Sequence, residues 1–209
     1  MPPIKLPGVS ALLLIMLTGC AWTVKPPAKV SDPVSVYLTD YGRHTSLIMP
    51  LSDDHLIEYA VGDWDWFAVN QNDSWSAVRA VTFSRGATLG RRLFVKTDNL
   101  HELKRLSGAD RLVVLRVDRL RVRKLTDLLD RQYTARMDTW HFNPLTHLDH
   151  VRSDRPYWGL NNCNNYTAAW LRQLNCNVSG WTILSNFKLS SPPPASSTQP
   201  VATSDAAAD

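Results

Sequence analysis

Asn161-Asn162-Cys163-Asn164-Asn165-Tyr166-Thr167-Ala168-Ala169-Trp170-Leu171-Arg172 is a polar cap that runs at once into a helix. Asparagine is a favoured N-cap because its side-chain oxygen accepts a backbone N–H that the helix leaves unpaired. From Tyr166 to Leu174 there is no Gly or Pro to interrupt the helix. Cys163 therefore falls in the first turn, where free amides and the positive end of the helix dipole favour a thiolate. A cysteine in that position suits a thiol nucleophile; it also suits a small buried apolar residue, the commoner fate of a free cysteine. A nucleophile needs a base from elsewhere in the chain.

The 209 residues fit one domain with tails. The N-terminus stands apart. Residues 1–10 hold one charge, Lys5, and the apolar run at 11–17 is too short to span a bilayer. Leu17-Thr18-Gly19-Cys20 closes that run and resembles the lipobox of bacterial lipoproteins. That resemblance implies removal of residues 1–19 and a diacylglycerol on Cys20. Ala21 after the cysteine then implies the outer membrane, with the domain facing the periplasm. The membrane is thus an expected partner.

Residues 20–33 carry Pro26, Pro27 and Pro33 and read as a tether. Residues 190–209 are rich in Pro, Ser, Thr and Ala and read as a disordered tail. The folded domain is expected over 34–189. Loss of Lys5 with the leader would lower the net charge from +4 to +3, too little to argue for nucleic acid. Cys163 and Cys176 remain as the side-chain thiols of the domain. In one continuous helix, thirteen residues at about 1.5 Å each separate them by roughly 20 Å, against the ~7 Å limit for a disulfide. Cys163 is therefore expected free and Cys176 expected to pack. A redox role for the two together would need a break in the helix.

Alternation and β-branching predict strands at 34–38, 44–49, 56–61, 91–96 and 111–117, with a last one within 181–189. Helices are predicted at 100–106, with Asp98 as cap, at 125–137, and briefly around 76–81. Residues 138–159 read as a long irregular loop leading into Cys163. Between 64 and 75, Trp64, Trp66, Phe67 and Trp75 mix with acids and amides. Such a stretch either folds onto the core or lines a groove for substrate, where Trp64, Trp66 and Trp158 would serve.

The base is sought among six histidines. His44 is best placed, at the start of an apolar strand just after a tight turn. His55 lies in a polar turn and His101 in a charged helix. His141, His147 and His150 share the long loop with Asp149, but their spacing matches no standard ligand pattern, so no metal is expected. No other cofactor is expected either.

Three segments carry a resemblance. They are Tyr41-Gly42-Arg43-His44-Thr45, Ile57-Glu58-Tyr59-Ala60-Val61-Gly62-Asp63 and Asn162-Cys163-Asn164-Asn165-Tyr166-Thr167-Ala168. Together they resemble the bacterial domain-of-unknown-function family 2459. The order strand-histidine, polar residue on the next strand, then Asn-Cys helix start is similar to the circularly permuted NlpC-type papain-like superfamily. That implies an α+β fold, a small antiparallel sheet packed against the helix that Cys163 begins. It implies Cys163 as nucleophile, His44 as base and Glu58 as the third, orienting member, a place for which Asp63 and Asp65 compete. The backbone N–H of Cys163 would face the oxyanion, supported by Asn162 or Asn161, with Tyr41 beside the histidine. Asn165-Tyr166 stands where a Thr-Trp pair is expected, which alters the packing beside the cysteine.

The function expected is thiol hydrolysis of an amide, cell-wall peptide first. Acyl transfer or ester cleavage on lipid or lipoprotein is the alternative, as is an envelope module that binds without catalysis.

Overall fold

A computed structural model describes residues 21–71 and 86–190. Cys20 with the leader, Trp75 with the short helix expected at 76–81, and the tail from 191 onward lie outside the described residues. The fold is α+β, built on a mostly antiparallel sheet with few helices.

The principal sheet has seven strands: β2 (Pro33–Asp40), β3 (Thr45–Pro50), β4 (His55–Asp63), β5 (Ala87–Val95), β6 (Arg111–Asp118), β7 (His141–Asn143) and β8 (Leu148–Ser153). Their order across the sheet is β6-β2-β3-β4-β5-β8-β7, and each neighbouring pair is antiparallel. This is larger than the small sheet expected. The reason is β7 and β8, which occupy much of the stretch read as a loop. Leu148 and Val151 are buried on alternate sides of β8, a pattern the intervening His and Asp residues obscure in the sequence.

The alternation of each strand divides its residues between two faces. One face carries Leu38, Leu47, Met49, Ile57, Tyr59, Val61, Leu89 and Val151. Two helices close it: α2 (Arg119–Thr134) through Val122, Leu125, Leu129 and Tyr133, and α3 (Cys163–Gln173) through Tyr166, Ala168, Trp170 and Leu171. α2 begins six residues before the expected start because Asp118 caps it, accepting from Leu120 N–H. The opposite face is covered at one end by α1 (Leu100–Ser107), whose Leu103 meets Tyr37, Ile48, Leu56 and Phe94. Asn99, one residue after the expected Asp98, caps α1, and Gly108 ends it with φ +72°.

The expected tether is corrected within 21–33. Trp22–Lys25 forms β1, parallel to β10 (Phe187–Leu189) and antiparallel to β9 (Asn177–Ser179). Trp22 and Val24 are fully buried in the main core; Trp22 packs against Phe187 and donates its indole N–H to Leu184 O at 2.8 Å. Two alternate apolar residues suffice for a strand once a partner exists, and the prolines of 26–33 mask them. The expected closing strand at 181–189 shrinks to β10 and joins this second sheet, with Trp181 exposed.

Candidate active site

Cys163 is the first residue of α3, and its place is fixed by Asn162. The Asn162 side-chain oxygen accepts from Asn164 N–H and Asn165 N–H, while the Asn165 oxygen accepts from Asn162 N–H, a reciprocal capping box. The Asn162 amide nitrogen donates to Gly159 O and Ile183 O. Asn164 donates to Ile183 O as well, and accepts from Thr45 Oγ1, while Thr167 Oγ1 donates to Thr45 O. These bonds lock the start of α3 to the start of β3.

Asn162 is therefore committed to the fold and has no donor left for an oxyanion. Asn161 is committed too: its amide donates to Pro156 O and Tyr166 Oη, and its backbone bridges to Trp158. The support role expected for both is corrected on this geometry. The backbone N–H of Cys163 remains the oxyanion donor on offer.

The thiol is buried and its proton points to Arg43 O at 3.9 Å. Burial pushes the Cys163 thiol up, against the opposing pull of the Tyr157 hydroxyl and the N–H groups of Thr45, Asn164 and Cys163 itself. Tyr157 is held well above the usual phenol range by burial and by its contact with Cys163. Sequence reasoning missed Tyr157; its position six residues before the cysteine, in a stretch read as loop, gave no signal.

Cys163 opens on a cavity of about 420 Å³ that His44, Arg43, Asp63, Trp66, Phe67, Tyr157 and Trp158 also line. The cysteine and the histidine thus come to one cavity, from α3 and from the residue before β3. No hydrogen bond joins them. His44 Nε2 is buried without a partner, and the ring lies 4.6 Å from that of Phe67. Burial lowers the His44 pKa to about 4. Both groups are neutral near pH 7.

No hydrogen bond joins Glu58 to His44, which corrects its expected orienting role. It is 1% exposed and fully engaged: Oε1 accepts from Tyr41 Oη at 2.6 Å and from Ser46 Oγ, and Oε2 accepts from Arg92 at 2.6 and 3.0 Å. Arg92 also donates to Thr146 O and Ser107 O. Tyr41 is thereby tied to Glu58, its ring 6.2 Å from that of His44. Asp63 accepts from Trp66 N–H and caps the short π-helical turn Trp64–Ala68. Tyr41, Glu58 and Arg92, with Phe67, Leu106, Leu145 and Leu148, wall a second cavity of about 430 Å³ that also reaches His44, so the imidazole and Phe67 separate the two hollows.

Of the three tryptophans proposed for a groove, Trp66 and Trp158 line the cysteine cavity. Trp64 does not: it is buried beneath the Arg152 guanidinium, 4.3 Å from the ring centre. The histidines of the expected loop also disperse. His150 is fully buried in β8, His147 sits in a turn with φ +55°, and His141 lies on β7 opposite His150. Among the described residues no three His, Cys, Asp or Glu side chains gather where a metal ion could be held. Cys163 and Cys176 are both free; burial raises the Cys176 thiol to about 12, as suits a packing residue.

The chain matches no known family model, no curated protein and no solved structure.

Proposed function

We propose that this chain is an envelope lipoprotein, anchored to the outer membrane through a lipidated Cys20, whose Cys163 and His44 form a thiol hydrolase site for an amide of cell-wall peptide. The layout that supports it is the one the permuted papain-like superfamily and domain-of-unknown-function family 2459 imply: a strand-borne histidine early, an antiparallel sheet, and a late helix begun by a capped cysteine. The observation that carries it is the single cavity bordered by both Cys163 and His44.

The chemistry follows from the ionisation state. A neutral thiol beside a neutral imidazole calls for general-base attack rather than a standing ion pair. As the sulfur bonds to the carbonyl carbon, its proton passes to a ring nitrogen of His44, which turns toward it from the Phe67 ring. The Cys163 N–H and the Tyr157 hydroxyl face the developing oxyanion. When the C–N bond breaks, the His44 proton goes to the leaving amine. Water, deprotonated by His44, then attacks the thioester; the C–S bond breaks, the acid leaves, and the His44 proton returns to the Cys163 sulfur.

The test is the mass of an adduct trapped on Cys163 after incubation with wall-peptide fragments and, separately, with acylated lipid. Expected is a peptidyl mass on Cys163 that disappears in the Cys163→Ser chain and falls about a hundredfold or more in His44→Gln, the usual size of a general-base effect. A fatty-acyl mass instead would assign the acyltransferase alternative.

A non-catalytic binding module has one observation in its favour, the elevated thiol beside an unpaired imidazole. It is the outcome if no adduct forms and iodoacetamide labels Cys163 at the same rate in wild type and His44→Gln across the pH range.

A further inference from the structure

A third cavity, of about 440 Å³, lies where β5 begins and β8 ends, and Tyr157 is shared between it and the cysteine cavity. Its wall is unusual in charge. Arg136, Arg152 and Arg155 line it against a single carboxylate, Asp154. Arg136 is paired with that carboxylate. Among the described residues Arg152 and Arg155 have no carboxylate partner; each lies over an aromatic ring, Arg152 at 4.3 Å from Trp64 and Arg155 at 5.7 Å from Tyr166.

Like charges do not gather round a hollow without cost, and two unpaired guanidiniums beside a third leave a surplus of positive charge facing it. The segment that bears them is held firmly. Pro156 O accepts from both Tyr166 Oη and Asn161, Arg152 N–H is bonded to Thr139 Oγ1, and Arg155 N–H to Ser153 Oγ. The rings beneath the two guanidiniums leave their N–H edges for an acceptor. A carboxylate offers two oxygens and can satisfy one such fork. A tetrahedral phosphoryl group offers three or more and can accept from several at once, and it carries the charge to match.

We propose that this cavity binds a phosphoryl group, and that it holds the phosphate end of a ligand whose remainder extends past Tyr157 toward Cys163. The same chemistry can come from a free phosphate compound or from the headgroup of an anionic phospholipid. Trp158 and Leu160, exposed just beyond Arg155, favour the headgroup, since an indole and a leucine beside cations suit the boundary of a bilayer. The inference stands apart from the hydrolase reading, because it concerns binding and needs no reaction at Cys163.

The experiment is calorimetric titration of the full chain in detergent with inorganic phosphate, glycerophosphoglycerol and, as the control without phosphate, glycerol, repeated in Arg155→Gln and Arg155→Lys. Saturable binding of at least one of the two anionic probes that weakens about tenfold or more in Arg155→Gln, less in Arg155→Lys, and with added salt, supports the site. Glycerophosphoglycerol as the tighter ligand assigns it to a lipid headgroup; inorganic phosphate as the tighter assigns it to a soluble compound. Arg155 is exposed, so its variants should melt as the wild type does. Absence of saturable binding overturns the proposal, as does binding that Arg155→Gln leaves unchanged or that glycerol equals.

Discussion

The two faces of the seven-stranded sheet are built from the same strands by different rules. Under α2 and α3 the face is continuous and apolar, from Val117 and Leu115 across Leu38, Leu47 and Tyr59 to Leu89 and Val151. The other face is apolar only beneath α1; toward its far end it carries Thr39, Ser46, Glu58, Arg92, Thr88 and His150, all but Arg92 in the fully buried class. On the first face any well-packed hydrophobe of the right size serves. On the second each polar atom needs a named partner, so Glu58 accepts from three residues and Arg92 donates to four. Cys163 arrives on the helix of the first face, and His44 rests against Phe67, which itself meets His150 on the second. The candidate site is thus the seam where a packing-driven layer meets a hydrogen-bonded one.

Removing bulk from the first face is expected to have the largest effect. Trp170 is 2% exposed and joins α3 to that core. Trp170→Ala is expected to cost about 3–5 kcal/mol, read as a lower urea midpoint with the m-value unchanged. A loss under 1 kcal/mol would mean that the first face tolerates a hollow as the second does.

The second face is expected to fail differently. Arg92→Met leaves the Glu58 carboxylate buried and short of its cation, at a cost of about 3 kcal/mol or more. Adding Glu58→Leu removes the stranded charge and should restore part of that loss, leaving Tyr41 and Ser46 without their acceptor. Non-additivity measured by the four-way comparison of urea midpoints is the readout. Additive losses would show that Glu58 and Arg92 contribute independently and that the second face packs like the first.

This division also decides what the sequence could reveal. Strands 34–38, 56–61 and 111–117 were legible because apolar residues on the helix-covered face recur at every second position, and β2, β4 and β6 contain them. The cap at Asn162 was legible because capping is local chemistry, and the capping box is present. β8 was not, since the central second-face residue of that strand is a histidine buried by contact with Thr88 and Gly90, partners more than fifty residues away. Trp22 and Val24 were missed for the same reason: their pairing with β9 and β10 is long-range. At the site, Cys163 and His44, paired in the sequence by the place of the histidine after a tight turn and by the resemblance, border one cavity. The diversion of Glu58 to Arg92 did not, because it depends on register between β4 and β5, where Glu58 sits opposite Arg92.

Acid probes the contrast by degrees, because the two histidines with lowered values lie on or beside the second face. Burial lowers His150 to about 3 and His44 to about 4; for His150, His141 and His44 add to the effect. Thr88 Oγ1 donates to Val151 O, so it can accept only from a protonated His150 Nδ1, which leaves Nε2 as an unpaired acceptor in the dry interior. In the unfolded chain both rings titrate near 6.5. As pH falls below that value the unfolded state takes up protons that the folded state refuses, so stability declines from about pH 6.5 toward 3–4 and is flat in these groups above 7. Each histidine contributes a slope of at most about 1.4 kcal/mol per pH unit. Gly90 admits the ring at this depth, since a Cβ there would lie 2.8 Å from His150 Cε1. His150→Gln retains a donor for Thr88 without a titrating group, and is expected to remove one proton from the slope between pH 6 and 4 in urea melts, while His44→Gln removes a smaller share because folded His44, at about 4, already takes up part of its proton at the end of that window. An unchanged slope in His150→Gln would place the acid-sensitive groups elsewhere, and the second face would then owe its stability to packing after all.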